Sequence, residues 1–178
     1  MIWAALTFGK HAEKTLPQVA FADPDWLFWA VEAGVFKGAS VLGDDAERVY
    51  SRAKRVRIPQ DTGEQLVAEY AFCQQDGRFA NVEIVPASRR PHQGSSPTMR
   101  LPFFDLSVPR RFCAYDKAGG RTLVAALKVY LFGDPDYRMT RERSGRFFQN
   151  DANFVLPAAS RESGGIWPPA SASGAARH

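Results

Sequence analysis

The chain has too few cysteines and too little continuous apolar sequence for two common classes of protein. Its 178 residues include two cysteines, Cys73 and Cys113, which excludes a disulfide framework and fits buried thiols in a reducing compartment. The longest apolar stretches, residues 26–36 and 123–132, each carry a charge and are shorter than a membrane span. Charged residues near the start of the chain argue against a signal peptide. We therefore expect a cytoplasmic protein without membrane contact.

The sequence also lacks the motifs of several enzyme classes. Gly9 and Lys10 are followed by His11 rather than by Ser or Thr, so no phosphate-binding loop is present, and no Gly-x-Ser-x-Gly elbow occurs. Histidines and cysteines are scattered, which excludes a recognisable zinc site. The Asp-x-Asp pairs at 23/25 and 134/136 each enclose a proline, so we interpret them as helix caps. We expect no catalytic residue, no metal and no cofactor.

The composition is that of an ordinary globular protein, 45% apolar and 24% charged. Hydrophobic periodicity and turn residues predict an α+β fold with a central antiparallel β-hairpin, turning at Asp76 and Gly77, packed by several short helices. Phe28, Trp29 and the phenylalanines of the last helix are expected in the core. The predicted elements are a strand at 2–8, helical residues 16–21, helices at 24–31 and 44–57, strands at 64–73 and 79–85, an irregular basic loop at 86–102, an edge strand at 101–108, a helix at 123–132 and a last helix starting at 134.

Arginine dominates the charge. Lysine and arginine total 23 against 19 acidic residues, a net charge of +4 with a calculated pI near 9.3, and arginines outnumber lysines by 17 to 6. Residues 86–121 hold seven cationic side chains against two carboxylates. A polyanionic partner would account for this excess, and so would the arginine bias of a GC-rich genome.

Two segments near the N-terminus resemble a known module. The matching positions follow the pattern Phe-Gly-Lys-[His/Tyr]-x-Gly-Lys-Thr-[Leu/Ile], then Asp-Pro-x-[Trp/Tyr]-Leu-x-Trp after a spacer. They are Phe8, Gly9, Lys10, His11, Lys14, Thr15, Leu16, Asp23, Pro24, Trp26, Leu27 and Trp29. This pattern resembles the exodeoxyribonuclease X C-terminal-like module of bacteria and phages, and a related family of short proteins described as quorum-sensing-regulated virulence factors. Glu13 departs from it, because the family usually has glycine there.

The resemblance covers about residues 5–38, a fifth of the chain. It implies association with nucleic acid rather than chemistry, because the module accompanies exonuclease domains whose acidic motifs are missing here. We therefore expect three parts: an exodeoxyribonuclease X C-terminal-like module at 1–42, an α+β remainder at 43–156 packed on it as one domain, and a disordered tail at 157–178.

The leading hypothesis is a non-catalytic, DNA-binding or RNA-binding protein that contacts nucleic acid through basic and aromatic groups, with single-stranded DNA favoured. Lys10, His11 and Lys14 would lie beside Trp3, Phe8, Trp26 and Trp29, which combines phosphate contact with base stacking. The candidate nucleic-acid-binding residues are Lys10, His11, Lys14, Arg48, Arg52, Arg55, Arg89, Arg90, His92 and Arg100. For each group the alternative is a solvated surface or, for the tryptophans, a place in the core.

Two other hypotheses remain open. The protein is a phage or mobile-element factor that docks on a host nuclease or defence complex, with arginines and the tail residue Trp167 as its contacts. Alternatively it is an enzyme that uses His11, His92 and nearby carboxylates as acid–base groups, although no spacing of residues supports this. Basic groups on one continuous face favour nucleic acid, and an exposed apolar patch rimmed by arginine favours a protein partner. A deep pocket that holds a histidine and an acid together favours an enzyme.

Overall fold

The computed structural model describes residues 2–38, 40–60 and 63–155 of the chain. Within them the fold is α+β, as the sequence predicts, with two small antiparallel sheets among helices. The elements are α1 (Leu16–Ala22), α2 (Pro24–Glu32), α3 (Ser40–Ala53), β1 (Val56–Arg57), β2 (Leu66–Phe72), β3 (Phe79–Pro86), β4 (Thr98–Leu101), β5 (Phe103–Phe104), α4 (Val108–Phe112), α5 (Lys117–Phe132), α6 (Arg141–Gln149) and a 3-10 turn (Asp151–Asn153). The predicted tail at 157–178, with Trp167, lies outside the described residues.

The larger sheet has the strand order β3-β2-β4, and both pairs are antiparallel. The β2–β3 hairpin forms as predicted, with Gly77 at φ 69° in its turn. Strand β4 lies in the segment at 86–102 for which the sequence predicts an irregular loop, and that prediction is wrong for residues 98–101. Flanking prolines and the two polar residues among its four hide the alternation of Met99 and Leu101.

The predicted strand at 101–108 is wrong over most of its length. Within that range Leu101 ends β4, and only Phe103 and Phe104 form β5, whose partner is β1: Val56 faces Phe104 and Arg57 faces Phe103. From Val108 the chain turns into the short helix α4, which has Pro109 in its first turn. The two-stranded sheet thus connects the end of α3 to the segment that follows the larger sheet.

Helix α2 begins as its sequence predicts. The Asp23 carboxylate accepts a hydrogen bond from the backbone N–H of Trp26 at 3.3 Å, and Pro24 occupies the first helical position. Gly34, at φ 72°, follows the end of the helix. Helix α5 starts earlier than predicted because Asp116 caps it, accepting from the N–H of Gly119 at 2.8 Å.

The predicted strand at 2–8 is wrong. Only Ala5 pairs, in an isolated bridge with Thr15, because the chain folds back tightly after Leu6. Trp3 and Leu6 are buried all the same, and the Trp3 indole donates to the carbonyl of Gly145 at 3.1 Å. Apolar residues at the start of the chain therefore serve the core without forming a sheet.

Two helix predictions need correction. Helix α3 spans Ser40–Ala53 rather than 44–57, because Val56 is held in extended pairings with Phe104 and Phe154. The last helix does not start at 134. There the carboxylate of Asp134 accepts from the N–H of Asp136 in a local turn, and α6 begins at Arg141 after its cap, Thr140.

One apolar core joins the helices and the sheets. Phe28, Phe147, Phe148 and Phe154 lie in it, as predicted. The boundary predicted after residue 42 falls inside α3, whose side chains enter the same core. Trp29 is not a core residue, contrary to prediction: α2 buries Leu27, Phe28 and Ala30, and leaves Trp29 46% exposed on its other side.

Neither cysteine is fully buried. Cys73 and Cys113 are half-buried free thiols, which corrects the expectation that both lie in the core. Each follows an aromatic residue. Phe72 is buried and Phe112 is half exposed, and the centroids of their rings lie 4.2 Å apart. No helix among the described residues is long and apolar enough to cross a membrane.

The buried hydroxyl of Tyr70 generates a first prediction. It donates to the carbonyl of Phe103 at 3.3 Å and accepts from the N–H of Asp105 at 2.8 Å. Burial raises the pKa of Tyr70, so the hydroxyl keeps its proton. Tyr70→Phe leaves the N–H of Asp105 buried and unpaired, and we expect the free energy of unfolding in urea to fall by about 1–3 kcal/mol.

Tyr115→Phe is the matched control, because Tyr115 is exposed and its hydroxyl makes no hydrogen bond to the described residues. Equal stabilities of the two variants would show that the Tyr70 hydroxyl does not hold β5 to the larger sheet.

Candidate nucleic-acid interface

The loop between Leu6 and Thr15 is closed by its own backbone. The N–H of Leu6 donates to the carbonyl of Lys14 at 2.9 Å, and the N–H of Glu13 donates to the carbonyl of Leu6 at 2.8 Å. Gly9 has φ 71° and Glu13 has φ 69°. Glu13 is the one residue other than glycine with a positive φ in the described part of the chain. It occupies the position at which the family pattern has glycine.

The buried carboxylate of Asp23 connects this loop to α2. Its Oδ1 accepts from the N–H of Trp26, while its Oδ2 contacts Lys10 Nζ at 2.7 Å and His11 Nε2 at 3.1 Å. His11 is only 7% exposed, and its Nδ1 has no hydrogen-bond partner. The two predicted binding residues Lys10 and His11 therefore serve first to orient the loop.

These contacts shift two pKa values. Burial lowers the pKa of His11, and its hydrogen bond to Asp23 offsets this only in part, so the imidazole is neutral at pH 7. Burial acts to raise the pKa of Asp23, but the bonds from Lys10, the Trp26 N–H and His11 outweigh it and hold that pKa below its usual value. The cluster consequently contains one ammonium, one carboxylate and a neutral imidazole.

Above this cluster lies a group of four aromatic rings, which we call the aromatic surface: Phe8, Trp26, Trp29 and Phe36. Trp26 lies at its centre, with ring-centroid distances of 6.4 Å to Trp29, 6.3 Å to Phe36 and 4.9 Å to His11. Phe8 packs on Phe36 at 6.3 Å. Trp29 is 46% exposed and Phe8 39% exposed, so two ring systems face solvent while their neighbours hold them in place.

The segments that carry the aromatic surface also carry lysines. Lys10 has a side chain 45% exposed despite its bond to Asp23, and Lys14 and Lys37 are exposed. Trp3, which the sequence places in this cluster, is elsewhere: its ring lies under the guanidinium of Arg48, 5.7 Å from it. Glu13 is the exposed acid of the loop.

Arg48, Arg52 and Arg55 border one cavity of about 550 Å³, together with Lys54 and the acid Glu47. We call it the cationic cavity. Arg52 is committed to the fold, since it donates to the carbonyl of Phe148 and to Asp151 Oδ1. The predicted arginine stripe is thus brought to one place, although Arg55 lies beyond the end of α3.

The four remaining predicted residues lie on β4 or in the loop between β3 and β4, and this loop contacts the outer face of the larger sheet. Arg100 pairs with the buried Glu69 on β2 and donates to the carbonyl of Arg89 at 2.6 Å. Arg89 lies 3.9 Å from Glu83, and Arg90 is exposed. His92 borders a depression of about 140 Å³ with Glu69 and Glu83, and hydrogen-bonds to neither. This loop is folded back on the sheet.

The structure thus assembles the ten predicted residues into three groups: the N-terminal loop, the cationic cavity and the outer sheet face. The prediction misses Phe36 of the aromatic surface, its neighbour Lys37, and Lys54 of the cationic cavity. The signals were present in the sequence: Phe36 and Lys37 lie between Gly34 and Gly38 in a turn, and Lys54 interrupts the arginine stripe. No group of three or more metal-ligating side chains is found among the described residues.

Comparison of the chain with protein-family models, with curated proteins and with solved structures finds no match. The resemblance of residues 5–38 to the exodeoxyribonuclease X C-terminal-like module therefore stays a prediction. So do the absence of catalysis and the choice of partner.

The left-handed backbone at Glu13 generates a second prediction. A non-glycine residue there is strained, and glycine removes the strain while it adds freedom to the unfolded chain. We expect Glu13→Gly to raise the free energy of unfolding by about 0.5–1 kcal/mol, measured in urea. Glu13→Gln removes the charge and keeps the strain, so it should leave stability nearly unchanged. Equal gains in both variants would assign the effect to charge.

The buried His11 generates a third prediction. Because its folded-state pKa lies below 6.5, the unfolded chain binds more protons below that pH, and the free energy of unfolding falls as pH drops from 7 toward 5. His11→Gln should flatten this dependence in urea denaturation at pH 7, 6 and 5. His92→Gln, at an exposed histidine, should retain it. An unchanged slope in His11→Gln would contradict the assignment.

Proposed function

We propose that the protein binds single-stranded nucleic acid without acting on it chemically, and that the aromatic surface is where the bases bind. The observation that carries the proposal is the exposure of Trp29 and Phe8 beside Trp26 and Phe36. Large exposed aromatic rings lower the solubility of a protein, and rings that their neighbours hold in place can stack on nucleic-acid bases. Stacking of one base on an aromatic side chain contributes about 1–3 kcal/mol and tolerates any sequence.

The charges near the aromatic surface are few, so we expect a small electrostatic contribution to the affinity for nucleic acid. Lys10, Lys14 and Lys37 lie on the same segments as the rings, and Asp23, the acid nearest to Lys10, is buried. Many of the predicted arginine contacts are instead used inside the fold. If three phosphates are contacted on a single strand, the logarithm of the affinity should fall with that of salt concentration with a slope of about −2. A footprint using all eight lysines and arginines among the ten predicted residues would give about −6.

The loop geometry supports the resemblance that first pointed to nucleic acid. The pattern's glycine corresponds to Glu13, whose backbone is left-handed, and its lysine and histidine correspond to Lys10 and His11, which both bind Asp23. In this chain the motif therefore has a structural role, positioning the loop against α2. The phosphate-binding role falls to the exposed lysine side chains.

A second candidate function rests on a separate observation. Phe112 is 50% exposed and Tyr115 is 62% exposed. Phe112 is the last residue of α4, next to Arg110 and Arg111, and Tyr115 follows three residues later. An exposed apolar patch next to arginines is typical of a protein-docking surface. Both arginines are anchored, Arg110 on Glu32 at 3.0 Å and Arg111 on Asp105, so the patch has a fixed shape.

The two candidates are separated by fluorescence anisotropy of labelled single-stranded DNA, duplex DNA and RNA at low and near-physiological salt. We expect single strands to bind more tightly than duplex, and Trp29→Ala or Phe8→Ala to weaken binding about tenfold. Tyr115→Ala removes an exposed aromatic of the other surface and should leave the affinity unchanged. Circular dichroism melts confirm that each variant folds.

Two outcomes would reject the proposal. The first is no binding of any nucleic acid at low salt, after which Phe112→Ala and Tyr115→Ala become the variants for a protein-partner search. The second is binding that Trp29→Ala and Phe8→Ala leave intact.

A further inference from the structure

The cationic cavity brings together more positive side chains than the contacts within the fold use. It is bordered by four cations and by Glu47, and its volume of about 550 Å³ is within the range of small-molecule sites. Arg52 is neutralised by Asp151 at 2.5 Å, and Arg48 lies over the ring of Trp3. For the other two cations, Lys54 and Arg55, the fold supplies no acidic partner among the described residues.

Lys54 and Arg55 have ring contacts but no carboxylate partner in the described part of the chain. The Lys54 ammonium lies 4.8 Å from the centre of the Tyr50 ring, and the Arg55 guanidinium lies 5.9 Å from that of Phe103. These contacts orient both side chains and leave their hydrogen-bond donors available. Both directly follow the end of α3, the helix that carries Arg48 and Arg52.

The distribution of the cations indicates what they would bind. From Arg48 to Ala53, the last residue of α3, the backbone advances about 7.5 Å along the helix axis, at about 1.5 Å per residue, and Lys54 and Arg55 follow directly. A ligand with two or three linked phosphates can contact several cations along that length, whereas a single phosphate ion contacts fewer of them. Guanidinium and ammonium donors both form charge-assisted hydrogen bonds with phosphate oxygens.

We propose that the cationic cavity binds a small ligand carrying linked phosphate groups, with Lys54 and Arg55 as the main contacts. This site is separate from the aromatic surface and does not depend on the proposed function. The same chemistry occurs in a free oligophosphate or nucleotide and in the backbone of a nucleic acid, and the experiment distinguishes these sources. The cavity's volume favours the small molecule.

The test is isothermal titration of the full-length protein in low salt with inorganic tripolyphosphate, then ATP, and anisotropy with single-stranded DNA. We expect tripolyphosphate to bind, and Lys54→Ala/Arg55→Ala to weaken it by about tenfold or more, since each charged hydrogen bond contributes that much. Arg89→Ala/Arg90→Ala removes the same charge from the outer sheet face and should change the affinity less than about twofold. Arg55→Lys should retain most of the affinity.

Several results would overturn this proposal. If tripolyphosphate and ATP do not bind the wild type, or if both double variants weaken it equally, the cavity is not a phosphate site. If Lys54→Ala/Arg55→Ala binds normally but melts at a lower temperature, the two cations only offset the negative end of α3. Trp29→Ala should not change the affinity for tripolyphosphate, because Trp29 belongs to the aromatic surface. If the wild type binds single-stranded DNA but not tripolyphosphate, this site is rejected and the proposed function is left intact.

Discussion

A single buried carboxylate, that of Asp23, holds the N-terminal loop and helix α2 in one arrangement. One of its oxygens caps the helix, and the other binds Lys10 and His11. The His11 ring in turn packs edge-on against Trp26, and Trp26 supports Trp29 and Phe36. A buried charge of this kind is stable only because every contact is made together. The position of the exposed rings therefore depends on an ion pair beneath them.

Much of the arginine content serves the fold. Arg100 and Arg111 pair with the buried acids Glu69 and Asp105, and Arg110 lies 3.8 Å from the buried Asp25. Arg52 and Arg57 donate to carbonyls near the end of the described chain. A planar guanidinium makes several directed hydrogen bonds at once, which suits it to join segments distant in sequence. Net charge is consequently a poor measure of how much positive surface this protein offers to a polyanion.

Local chemistry was readable from the sequence where one residue determines the outcome. The cap at Asp23, the turn at Gly77 and the burial of Phe148 follow from residue type and spacing. Predictions failed where contacts between residues distant in sequence determine the local structure. Val56 leaves α3 because Phe104 and Phe154 are there to pair with it, and Trp29 is exposed because α2 packs through Leu27 and Phe28. Likewise no periodicity shows that Arg100 faces Glu69. Of the aromatic surface and its lysines, the sequence predicts Phe8, Trp26, Trp29, Lys10 and Lys14, misses Phe36 and Lys37, and wrongly includes Trp3.

The contact between Trp3 and Gly145 has a consequence for synthesis of the chain. Trp3, near the start of the described residues, donates to Gly145 of α6, 142 positions later, and α1 also packs on α6. A domain folds as a unit, and here the N-terminal segment emerges from the ribosome long before its partner exists. Trp3 and Phe21 therefore lack their native contacts with α6 until that helix has been synthesised. The part of the core that joins these distant segments closes only after that point.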